Sequence, residues 1–579
     1  MKKLLTAIIA LLLSVTLFSG VGCSNVETGA APEGTGNHEE QIPPGEDENP
    51  DGEEELSEQL KANLSAGGYV DGKISDFSEY EGTDAYRKVT TADEFIQAIA
   101  DAKYHYKAEL AQDGEINYTP ADGYDKAEGT VHVIEIANDL NLGYNVLSQA
   151  AKSSGIAVDY DSKKLVDVQL SEMYTENGIS QIKVENTSNL LIYSKNGAKL
   201  THCGFKLTSD TNVVFRNLEF DELWQWEDTS SSSKGAMGDY DVVGWAYFKI
   251  AFCGYIWIDH CTFGKSYDGQ IDYSNPNYTS QGTAFRAPYG ADGGNGLHIS
   301  WCNFNAGSDD ENGYLYQMMA KIEEDYQAGG KNNLYYNALR DGGATFEDIL
   351  YGLAIPQKKG FLCGDNASET DADYTYNLGL QVSFANCKFT NLEDRIPKLR
   401  GGNAYMYNCI VDSSQYYGYR AALKNINGKT AEKLVQSVNS GWQCGLVSQG
   451  ILCSNGGSVK AENCIFKGIE NLLKNNDSKA KGEYVRGGYQ LVNCSYQKGA
   501  SDAVYVGSSS DSGNKFTNAT TSSLKTDYFS WHTENGVQPF RISAISLNEL
   551  AENLNNSQYG SGMLSTFVRS MLKSDYFKA

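Results

Sequence analysis

Short strings of alternating apolar and polar residues recur along the chain, and many close on one signature: a polar residue or Asn, then Cys, one residue, and an apolar residue. It runs Ile256-Trp257-Ile258-Asp259-His260-Cys261-Thr262-Phe263. It returns around Cys302-Asn303-Phe304, Asn386-Cys387-Lys388-Phe389, Asn408-Cys409-Ile410-Val411, Asn463-Cys464-Ile465-Phe466 and Asn493-Cys494-Ser495-Tyr496. Residues two apart on a strand share a face, so the Cys and the apolar residue after the spacer both point inward. Cys387 and Cys409 are 22 residues apart, about one turn of a parallel β-helix, and the wider gaps are multiples of it or hold insertions. Leu190-Leu191-Ile192-Tyr193 and Val213-Val214-Phe215-Arg216-Asn217-Leu218 fit the same scheme. The pattern predicts an all-β solenoid of stacked coils.

Helical spacing appears in three places. Thr91-Ala92-Asp93-Glu94 reads as a capping box, followed by Phe95, Ala98, Ile99 and Ala102 on one helical face. This helix is expected over the open N-terminal end of the solenoid, whose strand edges need a cover. Between Phe304 and Lys359, Leu315, Met318, Met319 and Ile322, then Phe346, Ile349, Leu350 and Leu353, predict two short amphipathic helices in an excursion over 305–356. Residues 546–579 are expected to form a C-terminal helical segment packing on the β-helix, with the stretch from Leu547 to Met571 serving as a cover at the other end.

Composition agrees with many tight turns between hydrogen-bonded strands: the chain has 59 Gly and only 10 Pro. Of the 12 Cys, eleven follow Cys23. At least six of these occupy inward repeat positions, and no C-x-x-C pair occurs. They are read as small buried hydrophobes rather than as a disulfide framework or a metal site.

At the N-terminus, Lys2 and Lys3 precede an apolar run from Leu4 to Phe18 and small residues up to Gly22-Cys23, the form of a signal peptide over 1–23. The run is short for a membrane span. A Cys after a small residue at that point resembles the lipobox of bacterial lipoproteins, which implies lipidation of Cys23 and a cell-surface or secreted location with membrane contact only through the anchor. Residues 24–65 hold Glu and Asp crowded between Glu39 and Glu58, with Pro and Gly. They cannot bury a core and read as a solvated tether. Leaving out residues 1–60, which hold 12 acids and two bases, the rest carries 45 bases against 62 acids. Nucleic acid is therefore excluded as a partner. A single elongated domain over 66–545, acting as a monomer, is expected.

The chemistry-bearing motifs lie within this solenoid. Trp257-Ile258-Asp259-His260 resembles the signature of the pectate lyase and pollen-allergen superfamily, polysaccharide lyase family 1. Arg395-Ile396-Pro397-Lys398-Leu399-Arg400 resembles that family's R-x-P-x-x-R element, and Lys359-Gly360-Phe361-Leu362-Cys363-Gly364 its lysine strand, in the same order. Asp268-Gly269-Gln270-Ile271-Asp272 stands where the family carries two calcium ligands. Residues i and i+4 of a strand share a face, so both carboxylates can meet one cation. Asp239-Tyr240-Asp241 is a second such pair, and oxygen ligands of this kind suit Ca²⁺. Ser274 stands where some relatives use a basic residue.

The resemblance implies a right-handed parallel β-helix of the pectin lyase type that cleaves polygalacturonate by calcium-dependent β-elimination. In it Arg395 is the base, Lys359 and Arg400 are catalytic, Lys359, Lys398 and Arg400 hold substrate carboxylates, and Asp239, Asp241, Asp268 and Asp272 hold the metal. Arg395 and Arg400 are five apart and would lie on opposite faces of an unbroken strand, so Pro397 is expected to bend the chain there. Three alternatives stay open on sequence: a pectin lyase acting on methyl-esterified chains, a polygalacturonase on the same scaffold, and a noncatalytic pectin-binding surface protein. An acidic protein acting on a polyanion lacks long-range steering, so local cationic clusters must dominate.

Overall fold

The structure, a computed structural model, describes residues 80–103, 106–110, 116–120, 131–162, 176–226, 244–274, 296–306, 311–330, 333–353, 358–365, 377, 380–444, 446, 448–455, 457–475, 488–499, 504–506, 545–557 and 559–565. The leader, Cys23, the tether, Asp239 and Asp241 lie outside them.

The chain winds as a parallel β-helix. Eighteen of the described strands form one bonded set that wraps two faces, and nine form a third face. Two ladders run through the larger set. One pairs Val213 with Ile256, Leu297, Val382, Ala404, Val459 and Tyr489 in turn. The other joins Phe220, Phe263, Phe304, Phe389, Val411, Phe466 and Tyr496. Phe263, Phe304 and Phe389 stack with ring centroids 5.0 and 4.8 Å apart, inside a core that excludes solvent.

The corner between the two ladders explains the repeat signature. Asn217, His260, Trp301, Asn386, Asn408, Asn463 and Asn493 occupy equivalent positions, and all are left-handed, with φ between 47° and 56°. One left-handed residue turns the strand from one face to the next, and after glycine Asn tolerates that backbone best. The residue that follows is Cys in six of these seven coils, pointing into the core. All eleven described cysteines are free and buried, as expected of packing residues.

The helix Ala92–Ala102 carries both halves of its capping box and packs Phe95 on Phe205, 6.3 Å between centroids. Helices at Tyr314–Gln327 and Phe346–Gly352 match the expected excursion, with a third at Leu334–Gly342 between them. A second excursion, Ser414–Leu423 and Ala431–Gln436, packs against the first: Tyr351 meets Tyr419 at 5.0 Å, and Asn427 donates to the Gly342 carbonyl at 3.0 Å.

The C-terminal segment departs from the expected end cover. Its described part, which includes the helix Leu547–Leu554, lies along the side of the solenoid over the left-handed corner. From Asn463, which donates to the Ile545 carbonyl, it passes Asn386, Trp301 and Thr262 and reaches Asn217, which accepts from the Leu564 amide at 2.7 Å. The cause is the apolar outward stripe of Val214, Trp257, Trp301 and Ile410, which Leu550, Leu554 and Leu564 bury.

Candidate active site

The outward side of the nine-stranded face carries most of the residues that the motifs single out. Asp268 leads into the strand Gly269–Tyr273, and Gly269 pairs with Lys359 and Asp272 with Leu362 on the next strand, Lys359–Cys363. Leu362 in turn pairs with Lys398 on Lys398–Arg400, while Lys359 bridges Asp394. Two residues separate Lys359 from Leu362 but three separate Asp394 from Lys398, so the arginine strand carries one extra residue. Arg395 takes a left-handed φ of 61° there, ahead of a cis Ile396–Pro397 bond. Such a bulge re-aims side chains, which resolves the five-residue separation of Arg395 and Arg400.

Asp268 is the hub of the cluster. Its Oδ1 accepts from Lys359 Nζ at 3.1 Å and lies 3.4 Å from Arg395 Nη1, which also stands 3.7 Å from Asp272 Oδ1. Gly269 permits this approach, because a Cβ there would lie 3.0 Å from Arg395 Nη1 and 3.3 Å from Asp272 Oδ1. Lys359, Arg395 and Lys398 are buried, and Arg400 is half-buried.

Burial disfavours charge at Asp268, yet Arg395 and Lys359 outweigh it and hold the carboxyl well below the usual range. At Asp272 burial and the neighbouring Asp268 charge prevail and push the group up to about 6. Lys359 is lowered by burial and by Arg395, and Arg400 by the same two causes. Burial and Arg400 bring Lys398 down to about 8. This part of the nine-stranded face is thus a dense, partly dehydrated alternation of two carboxylates with four cations. Asp272 Oδ1 is buried without a hydrogen-bond partner, the condition of an oxygen shaped to meet a cation. Among the described residues no trio of His, Cys, Asp or Glu converges as a metal cage.

Three contributors escaped the motifs. Lys249 pairs in register with Asp272 from the preceding strand and lies over the Tyr160 ring at 5.7 Å. Its signal was the alternation Phe248-Lys249-Ile250, readable only once the coil register is known. Asp365 accepts from the Ser274 hydroxyl and faces Arg400, so Ser274 is tied to an acid here. Asp394 accepts from the Arg395 amide at 2.6 Å. Lys358 donates to the Leu350 and Tyr351 carbonyls at 3.3 Å, which ties the first helical excursion to the residue before Lys359.

No protein-family model matches the chain. It is 31% identical over 347 residues to Pectate lyase B of Paenibacillus amylolyticus, which spans 60% of this chain and 77% of that protein. It is 29% identical over 125 residues to the pectate trisaccharide-lyase of Thermotoga maritima, 21% of this chain and 26% of the relative. Among solved structures, the pectate lyase of Paenibacillus sp. 0602 superposes with a TM-score of 0.63 at 27% identity, covering 86% of this chain and 95% of the other. With that extent of shared sequence and a shared solenoid, the chain belongs to the pectate lyase family and is a polysaccharide lyase.

Proposed function

We propose that the chain cleaves α-1,4-polygalacturonate by calcium-assisted β-elimination, releasing 4,5-unsaturated oligogalacturonides. The observation that carries this reading is the convergence of Lys359 and Arg395 on Asp268, within 3.1 to 3.4 Å, on the outward side of the nine-stranded face. Hydrolysis by a carboxylate pair gives no role to such a set of buried cations.

A uronate at this site presents its carboxylate to Lys359 and Arg400, with Lys398, on the same strand as Arg400, for a neighbouring sugar. A guanidinium fork suits a carboxylate. Arg395 takes the C5 proton as the neutral guanidine, a form that the neighbouring positive charges of Lys359 and Arg400 favour. The electron pair of the C5–H bond forms the C4=C5 double bond, the C4–O bond breaks, and the leaving oxygen takes a proton from solvent while Arg395 later returns the C5 proton to solvent. Charge that builds on the carboxylate during this step is met by the Lys359 ammonium in a site largely closed to water, where such an interaction counts most.

The residues present fit calcium: Asp272 offers a buried oxygen without a hydrogen-bond partner, and Asp268 shares its site. Asp268 and Asp272 would hold the ion, with Asp239 and Asp241 as further ligands, and bound calcium would supply additional positive charge to the substrate carboxylate. We read the N-terminus as an export signal with Cys23 lipidated. A Cys23→Ser variant that partitions with membranes as the wild type does would refute that anchor.

The test is incubation with polygalacturonate while ultraviolet absorbance of the new double bond is followed, with and without a chelator. Absorbance that the chelator abolishes is the expected result. None from the wild type sinks the lyase reading, a chelator-insensitive signal on methylated chains means a pectin lyase, and reducing ends without absorbance mean hydrolysis. Arg395→Lys should lose turnover by about 10²- to 10⁴-fold while still binding calcium, and retained turnover refutes its role as base.

A further inference from the structure

We infer that Lys183, Lys206 and Lys249 form an anion track that holds successive carboxylates of the polyuronate chain on the N-terminal side of the Asp268–Asp272 pair. This rests on the reading of the substrate as polygalacturonate.

Register carries the inference. On the outward side of the nine-stranded face Lys183 pairs with Lys206, Lys206 with Lys249, and Lys249 with Asp272, on four consecutive parallel strands. Neighbouring strands lie about 4.8 Å apart, so the three lysines stand in a line that reaches roughly 14 Å from Asp272. Downstream the same line reads Leu362, Lys398, Leu452 and Lys474, with a leucine between cations. Only upstream do the charges follow on every rung.

Like charges directly opposite one another in a sheet are destabilising. Several other lysines on the strands meet acids: Lys199 has Glu219 and Asp221, Lys195 has Glu135, and Lys460 has Glu462. Lys183 and Lys206 are half-exposed and have no acidic partner within 4 Å among the described residues. In a chain of net charge −27, a lysine row whose two outer members meet no acid among the described residues, and whose third, Lys249, faces Asp272, leads straight to the catalytic cluster and marks where a polyanion lies. A uronate polymer laid across the strands offers one carboxylate per sugar to such a ladder. The row also supplies the local cationic field that the overall charge denies to the protein.

The experiment uses the full chain and galacturonate oligomers of increasing length, with binding measured by calorimetry at several salt concentrations. Wild-type affinity should keep rising as oligomers lengthen beyond the trimer. In Lys183→Gln/Lys206→Gln that rise should flatten, with about 3- to 10-fold weaker binding of long oligomers and a shallower salt dependence. Lys183→Arg/Lys206→Arg should restore it. Lys321→Gln/Lys433→Gln, which removes the same charge from exposed sites on the excursion helices, should bind long oligomers as the wild type does. The melting temperature of the Gln variant should not fall, because a like-charge pair is relieved. Wild-type affinity that stops rising at the trimer, or an equal loss in the excursion control, overturns the track. If the wild type neither binds nor cleaves polygalacturonate, the substrate reading fails. If it cleaves and the Gln variant binds long chains unchanged, the track alone fails.

Discussion

Asp268 and Lys359 meet through a single carboxylate oxygen at 3.1 Å, and the same oxygen lies 3.4 Å from Arg395. One acid therefore positions two cations for a substrate that has to arrive with its own negative charge. Removing the ammonium leaves Arg395 as the nearer of the cations on Asp268 and takes away the charge that the developing carboxylate would meet. Lys359→Ala should lower kcat/KM by about 10²- to 10³-fold, followed by double-bond absorbance. A loss below tenfold would show that Lys359 only shapes the site.

Lys398 sets an upper limit on pH for substrate binding. Burial and Arg400 bring its ammonium down to about 8, so the amine is charged below that pH and neutral above it. The attraction for a uronate carboxylate is present below pH 8 and lost as the pH rises through it. KM for polygalacturonate should rise about 3- to 10-fold between pH 7 and 9. Lys398→Arg, which stays charged, should flatten that rise, and a KM profile identical in the two proteins would remove Lys398 from the binding site.

How far the sequence reached depended on whether a residue's meaning was local. The inward Cys of the repeat was legible from the two-residue alternation, whereas the left-handed turn at the Asn before it shows only in the backbone. Where His260 and Trp301 take the same φ, packing overrides propensity: their rings stack 5.7 Å apart under the C-terminal segment, with Tyr559 edge-on to Trp301. The motif residues Asp268, Lys359 and Arg395 were legible in order but not in contact, since the extra residue between Asp394 and Lys398 shows only in the pairing. Lys249 and Asp365 were invisible because their proximity to Asp272 and Arg400 is a property of coil stacking. The helix Ser414–Leu423 was missed because Ser, Gln, Gly and four aromatic or basic residues blur its apolar face. The side placement of Leu547–Leu554 followed from outward tryptophans whose exposure sequence alone does not reveal.

Two glycines separate backbone crowding at the site from ordinary helix propensity. A Cβ on Gly360 would lie 2.6 Å from the Arg395 carbonyl oxygen, whereas one on Gly418, inside Ser414–Leu423, would meet nothing within 4 Å. Gly360→Ala must push the lysine strand away from the arginine strand, costing about 1–3 kcal/mol and separating Lys359 from Arg395. Gly418→Ala only reduces the freedom of the unfolded chain and should add about 0.5–1 kcal/mol. Denaturant unfolding gives both signs, and turnover should fall in the first variant alone. Equal activity in the two would mean that strand spacing does not set the chemistry.

Asp272 distinguishes a ligand from a structural acid, because the two roles predict opposite signs for stability. Its folded value, near 6, lies above the ordinary carboxylate range. Its contribution is therefore favourable only below the unfolded value, is lost as the pH rises through 6, and leaves a buried charge at neutral pH. Oδ1 has no hydrogen bond to lose. Asp272→Asn should raise metal-free stability at pH 8 by about 1–3 kcal/mol, seen as a higher melting temperature in chelator. The same variant should weaken calcium binding on the order of 10- to 100-fold, because ligand charge tunes affinity at such sites. A structural acid would give the reverse, a lower melting temperature with calcium affinity untouched, so the paired measurement decides the role without any assay of turnover.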